Sequence, residues 1–176
     1  MTPNALNLQR RLFYGSLWSK AMERSFLEIL VEEIQVGNMV VGYPDVESIS
    51  SGMVEVNGVY EKSYDYIFYE DRVRRLQERY RVFPWVKSLA AVNWNSATNE
   101  VFAEPHTWEL VVQKCPLARA YVNIADPAWD ELCIIFGESV TLELSDDEER
   151  TEPINHTSER VREVIDLSSG SDDGSE

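Results

Sequence analysis

The stretch FYEDRVRRLQERYRVF, Phe68 to Phe83, decides how this chain is read. Val73, Leu76, Tyr80 and Phe83 recur at steps of three or four, so they line one face of a helix. Arg72, Arg74, Arg75, Arg79 and Arg81 crowd the rest. Pro84 follows at once and predicts an end or a kink at Phe83. An Arg-rich amphipathic helix needs other helices to cover its apolar stripe, and the chain on both sides supplies them.

Upstream, Trp18, Met22, Phe26, Ile29 and Leu30 form a second helical stripe, with Glu23, Glu28, Glu32 and Glu33 on the other side. Ser19 has the chemistry of its N-cap, and Gly37-Asn38 that of its stop. Between the two helices, Val46, Ile49, Met53 and Val56 suit one face of a third. Ser50, Ser51 and Gly52 weaken that segment, and Asn57-Gly58 reads as a turn. Downstream, Asn95 to Asn99 is turn chemistry between Trp94 and Val101-Phe102, which predicts a hairpin. Helices are expected over Trp18 to Gln35, Tyr69 to Phe83, Thr107 to Lys114 and Pro127 to Phe136. The last has Asp126 as its N-cap, Trp129, Leu132, Cys133 and Phe136 inward, and Gly137 after its end.

Charge divides the chain. Residues 1–137 hold 13 Lys and Arg against 18 Asp and Glu, a net of −5, whereas residues 138–176 hold 3 against 13, a net of −10. The expected organisation is an N-terminal arm (1–17), a mostly α-helical domain (18–137) and a disordered acidic tail (138–176), because such a tail buries too little area to offset its ordering entropy. No apolar run is long enough to span a bilayer and no signal-peptide core is present, so an intracellular chain without a membrane partner is expected. Cys115 and Cys133 then read as buried free thiols.

The order of landmarks resembles the Myb/SANT-like domain family of plants and fungi. These landmarks are Trp18, the stop at Gly37-Asn38, Val56-Asn57, RVRRLQERY, NWN…NEVFAEPHTW, CPLARAY and LCIIFG, covering Trp18 to Gly137. Some members are partners encoded alongside Harbinger-type transposases, and others are domesticated descendants in chromatin complexes. The resemblance implies a three-helix unit with additional C-terminal helices, in which the third helix reads double-stranded DNA or docks a protein tail. That helix carries Arg72, Arg74, Arg75, Arg79 and Arg81. The sequence departs from the family pattern twice: the second helix lacks its core Trp, and Ala91-Val92-Asn93-Trp94-Asn95 stands where Gly-Phe-x-Trp-Asp is usual.

Two readings of the arginines stay open. Arg72, Arg75 and Arg79 share one side of the helix, which suits phosphates. Asp71 stands four before Arg75, and Arg74 four before Glu78, which suits a solvated face laced with ion pairs. Catalysis is not expected: His106 and His156 are far apart, and there is no metal-ligand cluster, phosphate-cradling Gly loop, cofactor motif or exposed nucleophile.

In the tail, Val164, Ile165, Asp166 and Leu167 precede SSGSDD and resemble a SUMO-interacting motif. An extended apolar segment of this kind can add a strand to a sheet edge, with acidic residues meeting a basic rim. Ser169 with Asp172, and Ser145 with Glu148, suit acid-directed phosphorylation, and Val140 to Glu149 is a weaker copy of the same pattern. The function these features imply is a nuclear adaptor on DNA or chromatin that partners a chromatin or transposase-like protein and binds SUMO through its tail. The rival reading is a protein-interaction module without DNA contact.

Overall fold

The structure, a computed structural model, describes residues 3–137. Its elements run α1 (Pro3–Phe13), α2 (Lys20–Gln35), α3 (Val46–Tyr60), α4 (Tyr66–Ser88), β1 (Asn93–Asn95), β2 (Glu100–Phe102) and α5 (Pro105–Lys114). A 3₁₀ segment (Pro116–Tyr121) and α6 (Trp129–Phe136) complete them. The fold is mostly helical, as expected, with α2, α3 and α4 as the three-helix unit. The tail residues singled out above lie outside the described residues.

Local chemistry sets the starts of α2, α3 and α4. Ser19 accepts from the Met22 amide at 3.1 Å and caps α2. Asp45 caps α3 through the Ser48 amide at 2.8 Å, and Asp65 caps α4 through Phe68 at 2.9 Å. Each cap satisfies an amide that the helix itself leaves unpaired. Trp18 sits just before α2, fully buried, with its ring edge-on to Phe26 (6.0 Å) and Tyr69 (5.9 Å).

Helix α3 does not turn at Asn57-Gly58 but continues to Tyr60. The Asn57 side chain explains why an apparent turn residue sits in a helix. Its amide donates to the Tyr64 carbonyl at 2.8 Å, and its oxygen accepts from the Tyr69 hydroxyl at 3.0 Å, so it ties the α3–α4 loop to both helices. Gly52, a poor helix residue, is where α3 meets α2: a Cβ there would lie 2.5 Å from the Phe26 ring.

Pro84 does not end α4, which runs on to Ser88. A proline inside a helix costs about 3 kcal/mol or more. Phe83 and Val86 are fully buried beside it, and burying such side chains contributes about 1.5–3 kcal/mol each, enough to hold the helix together. The continuation matters because α4, about 35 Å long at 1.5 Å per residue, belongs to two cores. Tyr69, Val73, Leu76 and Tyr80 pack with α2, α3 and α6, while Val82, Phe83 and Val86 pack with α1, the hairpin, α5 and the 3₁₀ segment.

The expected hairpin is present, with Trp94 opposite Val101. Lys87 joins it to the helices: its ammonium lies 4.5 Å from the Trp94 ring and 4.6 Å from that of Trp129. Burial lowers the Lys87 pKa.

Two further expectations change. Residues 3–13, expected as part of an arm, form α1, which buries Phe13 and sends the Gln9 amide to the Ala120 and Ala125 carbonyls at 3.0 and 2.8 Å. Helix α6 starts at Trp129 rather than Pro127, and Asp126 is not its N-cap. Its inward residues are Leu132 and Ile135, with Trp129, Cys133 and Phe136 half-buried. Gly137, at φ +86°, ends it as expected. Cys115 and Cys133 form no disulfide and are half-buried rather than buried.

Candidate nucleic-acid interface

The five arginines of α4 have three different fates. Arg79 is not a surface residue: it is 3% exposed. Its position, three after Leu76 and four before Phe83, puts it in the apolar stripe. Nη2 and Nε donate to the two Asp126 oxygens at 2.7 and 3.0 Å, and Nη1 donates to Glu23 Oε1 at 2.8 Å. The guanidinium also lies 4.1 Å from the Phe13 ring.

Glu23 and Asp126 are as buried as their partner. Two carboxylates around one guanidinium leave excess negative charge, which neutral donors disperse. Tyr14 donates to Glu23 at 2.9 Å, Trp18 Nε1 to Glu23 at 3.2 Å, and Tyr121 to Asp126 at 3.0 Å. Burial by itself would lower the Arg79 pKa, but Asp126 and Glu23 outweigh it and hold it well above its ordinary value. Burial, then Glu23, pushes the Tyr14 pKa up; burial, then Asp126, does the same for Tyr121. This network is spent on holding α1, α2, α4 and the 121–128 loop together, so Arg79 is unavailable to a phosphate.

Arg72 is half-buried. Its guanidinium lies 4.8 Å from the Phe68 ring and 5.5 Å from Trp18, and Nε has no hydrogen-bond partner among the described residues. Burial and the neighbouring Arg75 lower its pKa. Arg72 thus lines a small cleft beside Arg75 and Glu78, with the two rings against its guanidinium.

Arg74, Arg75 and Arg81 are exposed. Arg75 pairs with Asp71 at 2.9 Å, as its spacing predicts, but Arg74 pairs backward with Glu70 at 3.0 Å rather than forward with Glu78. Exposed pairs of this kind are worth only about 0.3–0.5 kcal/mol, so either arginine can exchange its carboxylate for a phosphate at small cost. Arg81 forms no ion pair among the described residues. The solvent face thus holds Arg74, Arg75 and Arg81 against Glu70, Asp71 and Glu78, a net of zero.

Asp126 and Glu23 escaped the sequence reading because they lie 47 and 56 residues from Arg79. One signal was present: a guanidinium in the middle of an apolar stripe needs a buried counter-charge. His106 stands exposed at the start of α5, 3.7 Å from Glu109. Among the described residues, no group of His, Cys, Asp and Glu is placed to hold a metal ion, and no helix is long and apolar enough to cross a membrane. Val164, Ile165, Asp166 and Leu167 fall outside the described residues.

A family model described as a Myb/SANT-like DNA-binding domain matches residues 17–110, more than half of the chain. That span takes in α2, α3, α4, the hairpin and the start of α5. No curated protein and no solved structure matches the chain.

Proposed function

The chain belongs to the Myb/SANT-like DNA-binding domain family, and we propose from that premise that it works in the nucleus as an adaptor on DNA or chromatin. One observation carries the reading. Helix α4, third in the three-helix unit, keeps Arg74, Arg75 and Arg81 in solvent while its other face is consumed by two cores. The solvent face lies along the duplex, the three arginines take backbone phosphates, and Arg72 supports them from the edge. A chromatin or transposase-like protein is the partner brought to DNA. The tail binds SUMO by adding Val164, Ile165, Asp166 and Leu167 as a strand to the edge of its sheet, with the acidic residues that follow meeting a basic rim.

Salt dependence tests the DNA step. Three phosphate contacts give a slope of about −2.7 in log K against log salt. Duplex binding that is absent even at low ionic strength ends this reading. The neutral charge balance of the α4 face favours one alternative, an interaction module that docks a protein there without DNA. Labelled SUMO tests the tail: Ile165→Ala or Leu167→Ala abolishes binding if the strand forms, and unchanged binding removes SUMO from the proposal.

A further inference from the structure

Arg10 and Arg11 on α1 and Lys20 at the start of α2 are all exposed, and none forms an ion pair among the described residues. They line one groove of about 800 Å³ between α1 and the beginning of α2, with Pro127 also in its lining, and no carboxylate lines it among the described residues.

The buried network explains the missing carboxylate. Glu23 is the acid of the first turn of α2, and a residue there would ordinarily neutralise the helix start. Here it points inward: Oε1 accepts from Arg79 and Tyr14, and Oε2 from Trp18. The partial positive charge of the α2 N-terminus therefore adds to the three side chains. The adjoining cleft, which shares Tyr14, Lys20 and Pro127 with the groove, is the one that Glu23 and Glu131 line. The groove wall is held rigidly, since Phe13 is buried and Gln9 is anchored to two carbonyls. On its other flank, α1 meets α4, where Leu12 and Phe13 share a small cleft with Arg72, Arg75 and Glu78. The basic groove and the arginine face are thus neighbours across α1.

We propose that the groove between α1 and α2 holds the phosphate backbone of DNA through Arg10, Arg11 and Lys20. It is a second contact beside the α4 face and uses a helix outside the matched span. This rests on the reading that the chain binds DNA. Because the solvent face of α4 is neutral, the groove supplies much of the counterion release that duplex binding requires.

The test uses two probes on the full chain and on the triple variant Arg10→Gln, Arg11→Gln, Lys20→Gln. All three positions are exposed, so the melting transition should stay put and serves as the folding control. Inorganic pyrophosphate, titrated into isotope-labelled protein, is expected to move the amides of Arg10, Arg11, Ser19 and Lys20, and to move none of them in the variant. With a short duplex, the variant is expected to lose about 2 to 3 from the salt slope, near 0.9 per phosphate contact. Pyrophosphate shifts confined to other regions overturn the groove as an anion site. Duplex binding whose slope is unchanged in the variant overturns the groove proposal and leaves the DNA reading intact. No duplex binding by the wild-type chain, with pyrophosphate still moving the groove amides, overturns the DNA reading and with it DNA as the groove's ligand.

Discussion

Arg79 Nη2 donates to Asp126 Oδ1 at 2.7 Å across 47 residues of chain, with both side chains almost fully removed from solvent. Glu23 would still balance the Arg79 charge, but removing Asp126 leaves Arg79 Nε and Nη2, the Tyr121 hydroxyl and the Ala128 amide buried without their acceptor, at a cost of about 3–5 kcal/mol. Asp126→Ala should therefore lower the unfolding free energy by that amount in a denaturant titration. A fragment ending at residue 110 lacks Asp126 altogether and should show no cooperative transition. A fragment that unfolds cooperatively with full-length stability would show that Arg79 does not need this partner.

Gly52→Ala should destabilise the protein even though alanine is the better helix former. The helix preference favours alanine by about 1 kcal/mol. The added Cβ, however, would fall 2.5 Å from the Phe26 ring, which is itself fully buried against Trp18 and Tyr69. Overpacking of this kind costs about 1–3 kcal/mol, so a lower melting temperature is expected. A raised one would mean that the Phe26 ring can move aside.

The Tyr69 phenol should titrate late. Burial, reinforced by nearby Tyr64, pushes its pKa up from 10.0 to about 12. A folded-state pKa above the unfolded one contributes stability that is fully present below the unfolded value and lost as pH rises through the folded value. Stability should thus fall between pH 10 and about 12. Tyr69→Phe should flatten that part of the profile in paired ultraviolet and denaturation titrations, at the cost of the hydrogen bond to Asn57.

Arg81 and Arg79 are two residues apart and should behave oppositely in a duplex titration. Arg81→Gln should reduce the salt slope by about 1 and leave stability nearly unchanged. Arg79→Gln should lower stability by several kcal/mol, leaving two buried carboxylates without their cation, while the molecules that remain folded keep the wild-type slope. Equal slopes for wild type and Arg81→Gln would remove Arg81 from the interface.

What could be read from the sequence was local. The stripe of Val73, Leu76, Tyr80 and Phe83, the Ser19 cap, the turn between Trp94 and Val101 and the stop at Gly137 depend on 3.6-residue periodicity or on a side chain reaching its own backbone. Neighbouring residues determine all of these by themselves. What only the tertiary structure decided was whether a local preference survived. Pro84 and Asn57-Gly58 signal breaks, yet both helices continue, because buried Phe83 and Val86 and the bonds of Asn57 to Tyr64 and Tyr69 outweigh the local cost. Arg79 differs from Arg75 and Arg81 along the chain only in standing within the apolar stripe. It was withdrawn from any interface because folding brings Glu23 and Asp126 to it, and the charge of a buried guanidinium is stable only where distant carboxylates meet it.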